Sequence, residues 1–252
     1  MIGKFNTDNP DAVGKKRVHL IYVLDRSGSM HDIWDEMVGS FRANISELKK
    51  EQEVEYFLSM YLFDHTFEAA YTNQPLPTVA DNILSHYAPR GMTALYDAIG
   101  KALGNTVDEL YDQTIVFVLT DGGENDSKEY TKDAVHTIID KKLRKGTYAM
   151  NYLGSDPASW GDAKVHAGLA SSAVNYSKQN IGDTINLVFK STNLHAKSSN
   201  RGIVRGSTVS AYCSTSDMMA AGLSKYDGNN RVEFSSTDLK GKTGDVDPIP
   251  GA

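Results

Sequence analysis

Two short apolar runs, each followed by an aspartate, are the features that most constrain the fold of this sequence. Residues 18–24 and 114–119 are rich in β-branched, aromatic and aliphatic side chains. Such runs are typical of strands that are covered on both faces, as in a parallel sheet. Asp25 follows the first run, and Asp121 follows the second after one threonine. We therefore expect both carboxylates at the carboxyl ends of strands, where open α/β sheets place their ligands.

The rest of the chain alternates strands with helices. Further strands are predicted at 54–63, 66–71, 147–153 and 172–176, and helices follow apolar stripes that begin near residues 33, 95, 134, 160 and 181. The tight turn at Asp64-His65 predicts an antiparallel hairpin. The fold class expected is α/β: a doubly wound, mostly parallel central sheet with one antiparallel edge strand and helices on both faces.

Local signals predict where some elements begin and end. Asp32 or Ser29 is expected to cap the first helix. The apolar stripe that starts at Leu95 continues to Leu110 and predicts one helix over that length. Two prolines predict a loop over residues 73–81.

The domain organisation expected is an N-terminal extension over 1–15, the α/β domain over 16–197 and a C-terminal tail over 198–252. The tail is rich in Ser, Thr, Gly, Asp and Asn, so we expect it to be flexible. A second folded unit there is the alternative.

Composition limits the function classes. A formal net charge of -6 disfavours non-specific nucleic-acid binding, and the basic residues 141–145 end a predicted helix, where they complement its dipole. Cys213 is the only cysteine, which excludes an intramolecular disulfide and a zinc cluster of cysteines. No apolar run has the length of a signal-peptide core or a membrane span. We expect a cytoplasmic protein that binds neither nucleic acid nor membrane.

Oxygen-bearing side chains collect around the two aspartates. Ser27 and Ser29 follow Asp25 at alternate positions, which places them on one side of an extended loop. Thr93 is expected to enter from a third loop. Carboxylates and hydroxyls suit hard cations, so the set predicts a site for Mg²⁺, Mn²⁺ or Ca²⁺. Taken alone, the first loop is more commonly explained by a tight turn at Asp25 with Ser27 and Ser29 capping a helix.

Three motifs in order resemble the metal-ion-dependent adhesion site of von Willebrand factor type A domains. They are Asp25-x-Ser27-x-Ser29, Gly91-Met92-Thr93-Ala94-Leu95-Tyr96-Asp97-Ala98 and Thr120-Asp121-Gly122. The first motif alone is a weak signal, but three in order, two of them at the ends of buried strands, make a specific one. The resemblance covers residues 16–194, and the chain is most similar to small intracellular versions of bacteria and their viruses.

The resemblance implies a set of ligands and a function. Ser27, Ser29 and Thr93 would bind the cation directly, and Asp25 and Asp121 would bind it directly or through water. The implied function is a non-catalytic protein-interaction module in which an Asp or Glu of a partner protein completes the coordination of the cation. The alternatives are a metal-dependent hydrolase or phosphatase that uses the same cation, and a structural component of an assembly.

Three residues near the site have more than one interpretation. Glu124 and Asp126 would raise cation affinity, occupy the open coordination position, or cap a helix that begins near Lys128. Trp160 would anchor the core or line a partner surface.

Overall fold

A six-stranded sheet forms the centre of the fold. The computed structural model describes residues 14–104, 106, 108–155, 172–197, 225–226 and 231–232. The strands of the sheet are β1 (Lys16–Asp25), β2 (Val54–Phe63), β3 (Phe67–Pro75), β4 (Gln113–Thr120), β5 (Tyr148–Gly154) and β6 (Ser172–Asn175). Their order is β3-β2-β1-β4-β5-β6, with β3 antiparallel to β2 and every other pair parallel. The predicted mostly parallel sheet with an antiparallel edge strand is confirmed.

Helices cover both faces of this sheet, as predicted. They are α1 (Trp34–Leu48), α2 (Leu95–Gly104), α3 (Lys132–Leu143) and α4 (Ile181–Lys197). Leu20, Tyr22 and Leu24 of β1 enter a core shared with α1 and α4, whereas Ile21 and Val23 enter a second core shared with α2 and α3. Side chains alternate along a strand, so the unbroken apolar run over residues 20–24 buries β1 on both faces.

Aromatic rings join α1 and α4 to the sheet. The ring of Tyr22 lies 5.2 Å from Phe41 of α1 and 5.4 Å from Phe189 of α4. The same ring stacks at 4.9 Å on Phe117 of β4. Four rings from four elements therefore fix both helices over the two central strands.

The chain reverses its winding between β1 and β4. These strands are parallel neighbours, and Leu24 lies opposite Leu119. β2 follows β1 on one side, whereas β4 lies on the other, so the loops after β1 and β4 diverge and leave a crevice. Asp25 and Thr120 end their strands side by side at this crevice.

Three predicted boundaries are wrong, each for a local physical reason. Neither Asp32 nor Ser29 caps α1: the helix is entered through a 3₁₀ turn, and the Ser29 hydroxyl donates to Asp121 instead. α2 stops at Gly104, a residue with low helix propensity, so Leu110 lies in a separate 3₁₀ turn and is exposed. β3 continues to Pro75 through a register shift, with Asn73 in a left-handed conformation.

Some predictions fall outside the described residues. The N-terminal extension up to residue 13, the predicted helix with Trp160, and most of the tail belong to this group. Within the tail, the structure describes a short antiparallel pair, β7 (Lys225–Tyr226) with β8 (Arg231–Val232), which the prediction did not include. None of the helices in the described part of the chain has the length and apolar character needed to cross a membrane.

Candidate metal centre

The two aspartates meet at the crevice between β1 and β4. Asp25 is the last residue of β1 and has no exposed surface, and Asp121 directly follows β4 and is also buried. The hydroxyl Oγ1 of Thr120 donates to Asp25 Oδ2 at 2.6 Å. The strand register therefore brings both carboxylates to one edge of the sheet, as the sequence predicts.

The loop after β1 bends back onto these carboxylates. The backbone N–H of Ser27 donates to Asp25 Oδ1 at 2.6 Å. The Ser29 hydroxyl donates to Asp121 Oδ1 at 2.5 Å, and the hydroxyl oxygens of Ser27 and Ser29 lie 3.1 Å apart. Both serine hydroxyls and both carboxylates thus belong to one hydrogen-bonded cluster that joins the β1 loop to the β4 loop.

Thr93 approaches from the third loop. A Cβ atom added to Gly122 would lie 3.7 Å from Ser29 Oγ and 3.7 Å from Thr93 Oγ1, so the two hydroxyls flank this glycine. The Thr93 N–H donates to Asn125 Oδ1 at 2.8 Å, and its carbonyl accepts from the Asn125 N–H at 3.0 Å. These bonds hold Thr93 against the loop that follows Asp121.

Gly91 lets the third loop approach the first. Its carbonyl accepts from the Gly28 N–H at 3.2 Å. Its φ of 69° is left-handed, and an added Cβ would overlap the imidazole of His65. Only glycine adopts this conformation and leaves this space without strain.

The acidic residues after Asp121 organise the backbone. Glu124 accepts from the N–H groups of Tyr96, Asp126 and Ser127, so its carboxylate caps the first turn of α2. Of the three interpretations given for Glu124, the cap of a helix that begins near Lys128 is wrong. α3 begins at Lys132, where Thr131 caps it.

Asp97 holds the segment that precedes α3. Its carboxylate accepts from the N–H groups of Lys128, Glu129 and Tyr130. These three bonds tie residues 128–130 to a side chain on α2. The loop after Asp121 is thereby tied to the start of α2, directly after Thr93.

A buried ion pair supports the other side of the first loop. Arg26 Nε donates to Asp64 Oδ2 at 3.0 Å, and Arg90 Nε donates to the same oxygen at 2.8 Å. Burial alone would raise the pKa of Asp64, but hydrogen bonds from Arg90 and Thr66 and the charge of Arg26 lower it to about 2. Asp64 thus links the residue next to Asp25 with the loop that carries Thr93.

Negative charge at the centre is incompletely balanced. Burial raises the pKa of Asp25 to about 6; hydrogen bonds from Thr120 and Ser27 oppose this rise, and the charge of Asp121 adds to it. A carboxylate with its pKa raised in this way is stabilised as an anion by a cation brought close to it.

A lysine that sequence reasoning missed lies at the same place. Lys178 Nζ donates to Asp121 Oδ2 at 2.6 Å and to the carbonyl oxygen of Ser29 at 3.1 Å. No motif marks this residue, because it lies 57 positions after Asp121 in the turn between β6 and α4. Its ammonium group shows that a cation fits against Asp121.

The donor set fits a hard divalent cation. Among the described residues, no group of three or more His, Cys, Asp or Glu side chains is placed to hold a metal. The candidate centre depends instead on two carboxylates and three hydroxyls, all oxygen donors. Such donors favour Mg²⁺, Mn²⁺ or Ca²⁺ over softer metals.

Similarity to known proteins is found in structure only. No family model matches the sequence, and the comparison with curated proteins finds no match. A von Willebrand factor type A protein of Catenulispora acidiphila aligns with a TM-score of 0.52 at 14% identity, over 69% of this chain and 42% of that one.

Two further solved structures share this fold. Proximal thread matrix protein 1 from the mussel byssus aligns with a TM-score of 0.53 at 14% identity, over 69% of this chain and 46% of that one. That structure is described with zinc in its metal-ion-dependent adhesion site (MIDAS) motif. The PilB minor pilin of Streptococcus sanguinis aligns with a TM-score of 0.53 at 12% identity, over 73% of this chain and 63% of that one. The chain thus spans less than two thirds of each of these proteins, and it has the von Willebrand factor A fold.

Proposed function

We propose that this chain is a non-catalytic interaction module that captures an Asp or Glu side chain of a partner protein through a divalent cation. The proposed ligands are Asp25, Ser27, Ser29, Thr93 and Asp121. The proposed cation is Mg²⁺, with Mn²⁺ or Ca²⁺ as alternatives. The observation that carries the proposal is the Ser29–Asp121 hydrogen bond, which joins the loops of two neighbouring strands into one oxygen-rich site.

Each residue has a distinct part in this site. Asp25 accepts bonds from Ser27 and Thr120 on its two oxygens, so it orients the first loop and supplies negative charge behind it. The hydroxyls of Ser27, Ser29 and Thr93 would hold the cation without neutralising it. When bound, a divalent cation with few anionic ligands supplies an open position for a carboxylate from outside.

The fold family supports the metal-dependent part of the proposal. One similar structure is described with a metal-occupied MIDAS motif. The three motifs of this chain converge on the switch point of its sheet, between β1 and β4.

Capture of a partner tests the proposal. The chain, immobilised as bait, should retain a protein from a native lysate in Mg²⁺ and lose it in EDTA. Thr93→Ala should lose the same protein, whereas Thr137→Ala, at an exposed position on α3, should retain it. Capture that survives both EDTA and Thr93→Ala would contradict the proposal and indicate a structural component of an assembly.

Catalysis is the second possibility for the same cation. His31 is exposed in the 3₁₀ turn before α1, and His65 contacts Asp64, so neither is presented as a base toward the serines. We therefore propose that the centre binds without turnover. Hydrolysis of a generic phosphoester by the wild-type chain, lost in Asp121→Ala, would overturn this part.

We also propose a cytoplasmic setting of the bacterial or phage type. The single cysteine is compatible with a reducing compartment. Fluorescence of a tagged chain together with cell fractionation checks the location.

A further inference from the structure

One positive charge already lies in the candidate metal centre, the ammonium group of Lys178. It contacts the Asp121 carboxylate and the Ser29 carbonyl. The Asp121 side chain is fully buried, whereas the Lys178 side chain is 38% exposed. The carboxylate is therefore fixed in place, and the flexible four-carbon stem of the lysine gives its ammonium a path to water.

The backbone that carries Lys178 is held on both sides. Before it, the Tyr176 hydroxyl donates to the carbonyl oxygen of Thr120 at 3.2 Å. After it, the Asn180 N–H donates to the carbonyl oxygen of Ser177 at 2.9 Å. Only the lysine side chain needs to move for the contact with Asp121 to be made or broken.

Lys178 and a divalent cation would compete for the same carboxylate. The two oxygens of Asp121 are divided between the Ser29 hydroxyl and Lys178 Nζ. A cation bound to Asp121 and Ser29 would stand within a few ångströms of the ammonium. At such distances like charges repel strongly, and burial of Asp121 weakens the screening by water.

We propose that Lys178 is an intramolecular competitor of the divalent cation: it occupies Asp121 when the cation is absent, leaves it when the cation binds, and so sets the metal affinity of the site. This inference rests on the proposed metal binding. It adds a property that the three motifs do not encode. The site would then fill only above a cation concentration that the lysine determines.

Metal titration tests the competition directly. Free Mn²⁺ is measured by electron paramagnetic resonance during titration of the wild-type chain, Lys178→Met and Lys49→Met. Lys49 is a matched control, because its Nζ also donates to one carboxylate, Asp81, and one carbonyl, Val79, both at 2.6 Å, and it lies at the far end of α1. We expect Lys178→Met to bind Mn²⁺ on the order of tenfold more tightly than wild type, and Lys49→Met to bind as wild type does.

The wild-type chain supplies a second readout that needs no substitution. Acetylation of each lysine by an amine-reactive ester is followed by mass spectrometry with Mg²⁺ or EDTA. Release from Asp121 predicts that Lys178 reacts several times faster in Mg²⁺, whereas Lys49 reacts at the same rate in both. A lysine with only a structural role would not respond to the cation.

The outcomes distinguish the proposal that Lys178 competes with the cation from the proposal that the site binds a metal. Tighter Mn²⁺ binding in Lys178→Met with faster labelling of Lys178 supports the competitor. If wild type binds Mn²⁺ and Lys178→Met binds it equally or more weakly, the role of Lys178 as a competitor is overturned and the metal centre is retained. The same conclusion follows if Mg²⁺ does not change the rate at which Lys178 is labelled. Absence of Mn²⁺ binding in every variant overturns the metal centre and the competitor together.

Discussion

Asp25 combines a charge with complete burial. Asp25→Asn keeps the side-chain shape and an oxygen for the Ser27 N–H but removes the charge. We expect the metal-free variant to melt no lower than wild type, since an uncharged amide loses less hydration on burial. The rise in Tm caused by Mg²⁺ should disappear, measured by differential scanning fluorimetry with Mg²⁺ or EDTA. Asp183→Asn, at an exposed position on α4, should keep the rise; a rise retained in Asp25→Asn would contradict the proposed ligand set.

Substitutions at Gly122 and Gly91 are expected to affect metal binding and folding stability differently. At Gly122 a Cβ would make only ordinary contacts with the hydroxyls of Ser29 and Thr93, so Gly122→Ala should change the free energy of unfolding by less than about 0.5 kcal/mol. The added methyl group would fill the space between those hydroxyls, and the Mg²⁺-induced rise in Tm should fall.

Gly91→Ala should instead lower the free energy of unfolding. The left-handed φ and the overlap with His65 predict a loss of about 1–3 kcal/mol of stability. Urea unfolding of both glycine variants in EDTA measures the two costs. Equal stability losses at the two positions would show that the third loop is not held as described.

At the scale of elements, the sequence predicts strands better than helix ends. β2 has the predicted bounds, Val54–Phe63, and its apolar residues enter the cores on both faces of the sheet. α3 begins directly after Thr131, a local cap signal that the prediction did not include. The bonds from residues 128–130 to Asp97, about 30 residues away, could not be predicted, because they depend on how the tertiary fold brings two distant segments together.

A substitution on α4 tests how this helix packs on one face of the sheet. Phe189 lies among the rings of Tyr22, Phe41 and Phe117 and is almost fully buried. Phe189→Ala should lower the free energy of unfolding by about 3–5 kcal/mol because it leaves a cavity at this contact. Leu194→Ala is the control on the same helix, since Leu194 is 42% exposed and should lose little. Urea denaturation compares the two; similar losses would mean that α4 is not seated on the sheet through Phe189.

At the scale of the molecule, the candidate site divides into a predictable and an unpredictable part. Asp25, Ser27, Ser29 and Asp121 could be placed together because strand ends meet at one edge of a parallel sheet. Lys178 could not, because its position depends on the path of the chain after β6. The contacts that would tune the site come from segments that carry none of its motifs.

The whole molecule also carries a built-in sensitivity to acid, far from the candidate site. His19 lies near the start of β1, its Nε2 is 2.8 Å from Ser59 Oγ, and burial lowers its pKa to about 4, although the charge of Asp108 opposes this shift. An unfolded histidine has a pKa of about 6.5. Between these values the unfolded chain binds a proton that the folded chain does not bind, so stability falls as the pH falls from 6.5 to 4.

His19→Gln should remove this part of the acid sensitivity while keeping a polar partner for Ser59. Between pH 7 and pH 5, wild type should lose about 2 kcal/mol more of its free energy of unfolding than the variant does. Urea unfolding at both pH values in EDTA measures the difference independently of any bound cation. His195, whose pKa burial also lowers to about 4, is present in both proteins, so its contribution cancels. Equal losses in the two proteins would show that His19 is protonated in the folded state at pH 5.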